Sequence, residues 1–256
     1  MLLLGTLLIS TLMAVLWAYS VRRTNSGVMD IGWAAGLCLI AALCALVVPA
    51  RSVRAVLASS MVMIWGLRLA THLYSRVINH PEDPRYAALR DEWGSRANIR
   101  FFWFFQIQAV LVLFLSFPLL LVMRNDGPLS WWEYSGIIVW CVAIAGEWIS
   151  DRQLKAFKSR FENKGRTCRS GLWKYSRHPN YFFEWLFWIA IATFAMGSPF
   201  GYLAIACPLL MLYFLLRVTG IPATEAQALR TRGQDYRDFH QTTSAFVPWL
   251  PGRRDS

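Results

Sequence analysis

Three groups of residues in this chain of 256 have types and spacings that could do chemistry. Arg68, His72 and Arg76 recur at i, i+4 and i+8. A helix through them sets an imidazole between two guanidiniums on one face. The acids Asp30, Glu147, Asp151 and Glu184 stand at or near the ends of apolar runs. An ionisable group there is costly and by default suggests function. Between residues 151 and 178 come Lys155, Lys158, Arg160, Lys164, Arg166, Arg169, Lys174 and Arg177, with Asp151 and Glu162 as the only acids. Lys and Arg clamp phosphates, so this stretch suits a polyanion. Each group also has a plainer use. The arginines and acids could be ion pairs between helices, Arg68 with Asp30 or Glu184, and the basic stretch could set topology and attract anionic lipid.

The basic stretch ends in the sequence GLWKYSRHPNY, residues 171–181, followed by Glu184. Pro179 fits the first position of a helix, and Asn180 can satisfy backbone donors there. A helix N-terminus beside Arg177 and His178 is a ready anion site, or a helix start whose Arg and His meet headgroups.

The elements that must position these residues are membrane spans. The composition is 56% hydrophobic and 16% charged, whereas soluble domains carry roughly 25% charged residues. Apolar runs of 18 residues or more read as spans, and backbone groups in lipid force them to be helices. Spans are expected at about 2–20, 31–49, 55–74, 101–123, 132–150, 181–197 and 200–218, in one all-α membrane domain over 1–256. A cofactor loop, 151–180, and a tail, 219–256, complete it. With seven spans, 22 of the 26 Lys and Arg fall on one side, counting Arg217 at the end of the last span. The other side holds Arg51, Arg54 and Arg124, and Arg68 lies within span three. The basic side is therefore expected in the cytoplasm, the N-terminus outside and the C-terminus inside. No basic n-region precedes the first apolar run, so that run reads as a retained helix.

The net charge of +11 would suit nucleic acid, but the cations lie in loops between spans. No nucleic-acid partner is expected; the partners are the bilayer and a lipophilic small molecule. Four of the five cysteines, Cys38, Cys44, Cys141 and Cys207, fall in apolar runs, and no CxxC pair occurs. Neither a disulfide framework nor a metal site is expected. The sequence is silent on oligomeric state.

The chain resembles the DUF1295 family, within the wider superfamily of steroid 5α-reductases and sterol reductases. The resemblance runs through Asp30 with Trp33, the stretch 65–69 (WGLRL), 83–86 (DPRY), 151–154 (DRQL), the block 171–181 with Glu184, and 220–222 (GIP) with Glu225, Tyr236 and the 246–249 end (FVPW). It implies a bacterial inner-membrane enzyme that takes NADPH from the cytoplasm and reduces a C=C bond conjugated to a carbonyl. By the same resemblance Asp151, Lys158, Arg166, Asn180 and Glu184 fall where such reductases contact the dinucleotide, and Arg68 and Arg76 resemble phosphate-side arginines. Glu147, Lys155, Trp173, Tyr181, Glu225 and Tyr236 join Arg177 and His178 in the cofactor site so implied. The steroid reductases place a Glu on span two and a Tyr on span three to polarise the carbonyl. The similar positions here are Asp30 and Trp65, and an indole can donate a hydrogen bond but cannot protonate an enolate. His72 or Tyr74 is then the expected acid, with Asp30 orienting it.

Two other classes stay open. Isoprenylcysteine and phospholipid methyltransferases, which use S-adenosylmethionine, share an RHPxY-like helix start. They usually carry a Gly soon after the Tyr and a Glu-Glu pair; here Phe182-Phe183-Glu184 follows Tyr181, and Ala226 follows Glu225. A non-enzymatic lipid-binding protein or small transporter is the third class, although a transport path more often places polar groups near the midplane.

Overall fold

The computed structural model describes residues 2–47 and 52–252. The last two residues of the second expected span (48 and 49), Arg51 and the final tail residues 253–256 lie outside the described residues. Among those described, every regular element is helical. Five stretches are long and apolar enough to cross a membrane: Leu3–Arg23, Val28–Leu46, Val53–Val77, Pro84–Val122 and Gly201–Arg232. The chain therefore has the make-up of an integral membrane protein. It divides into two compact units, 1–129 with 197–201 and 130–196 with 202–256.

The first unit holds α1 (Leu2–Arg23), α2 (Val28–Val47), α3 (Val53–Val77), α4 (Pro84–Trp93), α5 (Ala97–Leu115) and α6 (Phe117–Val122). Small residues let α2 and α3 approach closely. A Cβ added at Gly66 would come within 2.5 Å of Cys38 Sγ. Trp65, Met29, Leu37, Phe101 and Phe105 fill the core of this unit. The expected span 101–123 is broken at Ser116, where Pro118 has no N–H to continue the helical ladder. Helix α4 occupies what read as a loop. Pro84 starts it and the Asp83 side chain accepts the Arg85 N–H at 2.9 Å, a cap written in the sequence. On the loop side of α3, Arg54 is buried. Its guanidinium donates to the carbonyls of Asn125, Gly127 and Pro128 at 3.1, 3.3 and 2.7 Å.

The second unit holds α7 (Trp131–Lys158), α8 (Pro179–Ala195), α9 (Ala206–Tyr213), α10 (Ile221–Arg232) and α11 (Gln234–Thr242). Ser130 and Glu133 form a capping box that starts α7. The helix runs eight residues past the expected end at 150, which carries Asp151, Lys155 and Lys158 out on a rigid arm. Helices α7 and α8 pack along most of their length. A Cβ at Gly136 would strike the Phe194 backbone at 2.8 Å, and one at Gly146 would enter the Phe183 ring. Neither helix is among the five stretches both long and apolar enough to cross a membrane. The first carries Glu133, Glu147 and four tryptophans, and the second has only 17 residues. The expected span 200–218 is a 3₁₀ turn (201–205), then α9, then a π turn (214–218).

Candidate functional site

Of the residues singled out from sequence, the first unit holds Asp30, Trp65, Arg68, His72, Tyr74 and Arg76. Helix α2 begins three residues earlier than expected, so Asp30 lies in its first turn. The Asp30 carboxylate receives the Tyr86 hydroxyl on Oδ1 at 2.6 Å, and the Arg85 guanidinium lies 3.6 Å from Oδ2. Arg85 also binds Asp83 at 3.0 and 3.2 Å. Asp30, Asp83, Arg76 and Arg85 share the wall of a cavity of about 90 Å³ with Leu73 and Val77. His72 and Tyr74 flank the helix face that lines it and are not among its lining residues, and Tyr74 is 58% exposed. Trp65 is buried edge-on to Trp33, ring centroids 5.8 Å apart. Arg68 and His72 are half-buried along α3.

A second knot braces this cavity. Glu82 accepts the Ser26 N–H at 2.7 Å and the Arg90 guanidinium at 2.8 and 3.0 Å, while Arg90 lies over the Phe101 ring. Burial opposes the Glu82 charge, yet the bonds from Arg90 and Ser26 outweigh it and hold the carboxyl below its usual range. Asp83 is likewise held low, against burial, by its bonds to Arg85.

In the second unit the basic stretch makes a cavity of about 430 Å³, within the range of small-molecule pockets. Lys158, Arg160, Lys164, Arg166 and Arg232 line it with Phe157, Phe161 and Cys168, and no acidic residue does. Lys158 and Arg166 were expected here; Lys155 is exposed on α7 outside the lining. Arg160 and Lys164 were legible only as part of the basic run. Arg232, 66 residues beyond Arg166, gave no sequence signal.

The block 171–181 folds against α7 and the tail. Gly171 has φ +60, and the Gln153 side chain fills the place of its missing Cβ. The Gln153 oxygen accepts the Leu172 N–H at 2.9 Å, and the Trp173 indole donates to the Ser150 carbonyl at 2.9 Å. Arg177 is 8% exposed and heavily engaged. Its Nε donates to Glu225 Oε1 at 2.7 Å and its Nη1 to the carbonyls of His240 and Thr243 at 2.6 and 2.8 Å. His178 lies 3.2 Å from the same Glu225 oxygen, and His240 lies 3.3 Å from Oε2. Burial drives the His178 imidazole below its ordinary pKa despite Glu225, so near neutral pH it is a neutral ring donating Nε2–H. Tyr181 stacks on His178 and meets the Thr224 hydroxyl at 3.0 Å. Tyr236 is buried nearby, its phenol pKa raised by burial and then by the Glu225 charge. Arg177 and His178 thus bind the tail together.

Of the remaining acids, Glu147 and Glu184 are buried within α7 and α8, and Glu184 accepts the Trp188 indole at 3.2 Å. Asp151 and Asn180 are half-buried. Sequence reasoning gave no role to Tyr86 or Arg85, although the stretch 83–86 stands out as a motif.

The family model described as "Protein of unknown function (DUF1295)" matches residues 16–243. No curated protein and no solved structure matches the chain.

Proposed function

Because the chain belongs to the DUF1295 family, which resembles the steroid and sterol reductases, we propose that it is a membrane-embedded, NADPH-dependent reductase. Its substrate would be a lipophilic molecule bearing a C=C bond conjugated to a carbonyl. The observation that carries this reading is the 430 Å³ cavity with five cations and no acid in its wall. A cofactor with three phosphates is the partner such a wall favours, whereas the cationic sulfonium of S-adenosylmethionine gains nothing from it. Lys158, Arg160, Lys164, Arg166 and Arg232 would hold the phosphates, and Phe157 and Phe161 offer ring faces to a base. When bound, NADPH supplies a hydride.

Reduction also needs groups that meet the negative charge growing on the carbonyl oxygen. We assign that part to the cavity of the first unit. The Arg76 guanidinium would stabilise the oxygen, and Asp30, once protonated, would deliver the proton with Tyr86 and Arg85 holding it in place. This moves the acid from His72 or Tyr74 to Asp30: His72→Ala and Tyr74→Phe are expected to keep activity that Asp30→Asn loses. We further infer seven spans, namely α1, α2, α3, α5 with α6, α7, α8 and 200–218. The N-terminus would be outside, and the phosphate cavity would face the cytoplasm of a bacterial inner membrane. A reporter fused after Ser256 that proved external would overturn that orientation.

The decisive experiment is a thermal-stability scan of detergent-purified protein with NADPH, NADH and S-adenosylmethionine in parallel. A ligand at about 100 times its Kd stabilises the fold by roughly 2.7 kcal/mol. A shift with NADPH supports the reductase and justifies a screen of lipophilic enones. A shift with S-adenosylmethionine alone would replace it with methyl transfer, and no shift with any of the three would sink nucleotide-dependent chemistry altogether.

A further inference from the structure

The cation cavity is built from two stretches far apart in sequence, and one carboxylate joins them. Arg166 and Cys168 line it from the segment after α7, and Arg232 lines it from the last turn of α10. Gly233 follows with φ +55 and ψ −122, a backbone state that side chains oppose, and nothing lies within 4 Å of where its Cβ would be. It is an uncrowded turn between α10 and α11. Beyond it, Asp235 in the first turn of α11 reaches back to the other wall. Its Oδ2 accepts the Thr167 N–H at 2.7 Å, and its Oδ1 accepts the Arg169 guanidinium at 3.0 Å. The same guanidinium also donates to the Asp235 carbonyl, and it lies over the Phe239 ring at 5.7 Å.

Thr167 sits between the two lining residues Arg166 and Cys168. The Asp235 bond therefore ties that wall to α11 at the residue between them. Asp235 is itself absent from the lining. Without the bond, Arg166 and Cys168 lose their direct tie to the stretch that carries Arg232, and the tail is held only farther off, at Arg177 and His178. Arg166 and Arg232, on the two stretches, repel each other, and a multivalent anion between them favours closure.

We propose that Asp235 is a latch: it docks the α10–α11 tail on residues 167–169, and the cavity holds a phosphate-bearing ligand only while it is docked. The ligand and the latch stabilise each other, as linkage between two events on one structure requires. This rests on the anion-binding reading of the cavity but not on NADPH being the anion, since an anionic lipid headgroup carries the same chemistry.

The test compares wild type with Asp235→Ala, Asp235→Asn and Arg169→Gln as full-length protein in detergent. Pyrophosphate and NADPH are titrated, and proteolysis of the tail is followed with and without each. Nanodiscs of phosphatidylglycerol and of phosphatidylcholine provide the lipid arm. Wild type is expected to bind pyrophosphate and thereby protect residues beyond 220. Asp235→Ala should bind about tenfold more weakly and lose the protection, while its ligand-free melting temperature falls by only a few degrees. Asp235→Asn keeps an acceptor for the Thr167 N–H and should recover most of the affinity, which a general loss of packing would not allow. Arg169→Gln, should Asp235→Ala misfold, is expected to shift affinity the same way by less. Equal pyrophosphate affinity in wild type and Asp235→Ala overturns the latch. Binding of pyrophosphate but not NADPH sinks the nucleotide reading and leaves the latch standing. Protection by phosphatidylglycerol alone names a lipid as the ligand, and binding of no anion at all overturns both.

Discussion

Arg85 and Arg90 in the first unit and Arg160 and Arg166 in the second are the same side chain in opposite employment. Arg85 bridges Asp83 and Asp30, and Arg90 is clamped by Glu82 and Ser26. Each joins α4 to the start of α2, as a tie inside the fold. Arg160 and Arg166 stand with Lys164 around a cavity whose wall has no carboxylate. Arg177, eleven residues past Arg166, returns to the first pattern, with Glu225 and two carbonyls around it. What separates the cases is whether another element brings an acceptor within about 3 Å. A tie stabilises the protein at all times, whereas exposed cations such as Arg160 and Arg166 add stability only when an anion lies against them.

That contrast can be broken most severely at Glu225. Glu225→Ala leaves the buried Arg177 guanidinium and the His178 ring short of an acceptor. It is expected to destabilise the second unit by about 3–5 kcal/mol, read as a fall in melting temperature in detergent; a variant as stable as wild type would show that the knot contributes nothing. Charge reversal in the cavity should do the reverse. Lys164→Glu with Arg166→Glu is expected to weaken NADPH binding about a hundredfold or more, from two charge-assisted contacts of about 1.5–3 kcal/mol each, with the melting temperature held or raised. Unchanged affinity in a nucleotide titration would remove the cavity from the binding account.

Smaller effects sharpen the same line. Tyr86→Phe deletes one hydrogen bond to Asp30 and is expected to cost about 1 kcal/mol of stability. If Asp30 carries the proton of reduction, it should also lower kcat more than it raises KM. The pH dependence should differ between the units. His178 has its pKa lowered in the fold, so the stability it secures is complete above its ordinary value near 6.5 and is lost as pH falls through the folded value. Glu225, Arg177 and Arg232 surround it, and the latter two oppose its protonation further. Glu82 and Asp83 are also held low, but from ordinary values of 4.5 and 3.8, so their contribution is lost only in more acid solution. Proteolysis of the tail should therefore rise between about pH 6.5 and 5 while the region around Glu82 stays protected. Simultaneous loosening of both would refute the assignment.

How much of this was legible varies with the range of the interaction. Spans follow from local apolarity, and α1, α3 and α8 begin within two residues of their expected starts. The cap at Asp83-Pro84 was also local, yet α4 went unread because a polar ten-residue helix has no apolar period to betray it. The break at Ser116 had a signal in Pro118 that the surrounding apolar run obscured. The cations of 155–166 could be read as a group because few acids interrupt them. The acceptor of Arg177 could not, since Glu225 lies 48 residues away. Asp30 was marked by its place at a helix start, but its partner Tyr86, 56 residues on, is chosen by tertiary packing. Site residues were visible from type and spacing; their partners were not.

Arg54 has a consequence for the order in which the protein is made. Its three carbonyl acceptors lie 71, 73 and 74 residues downstream. At roughly 5–20 residues per second, a ribosome needs about 4 to 15 s to supply them. For that interval Arg54, in the first turn of α3, lacks these three acceptors, and the arrival of residues 125–128 supplies them. Force measurements on nascent chains of increasing length should register a step as that segment emerges, and Arg54→Ala should abolish it.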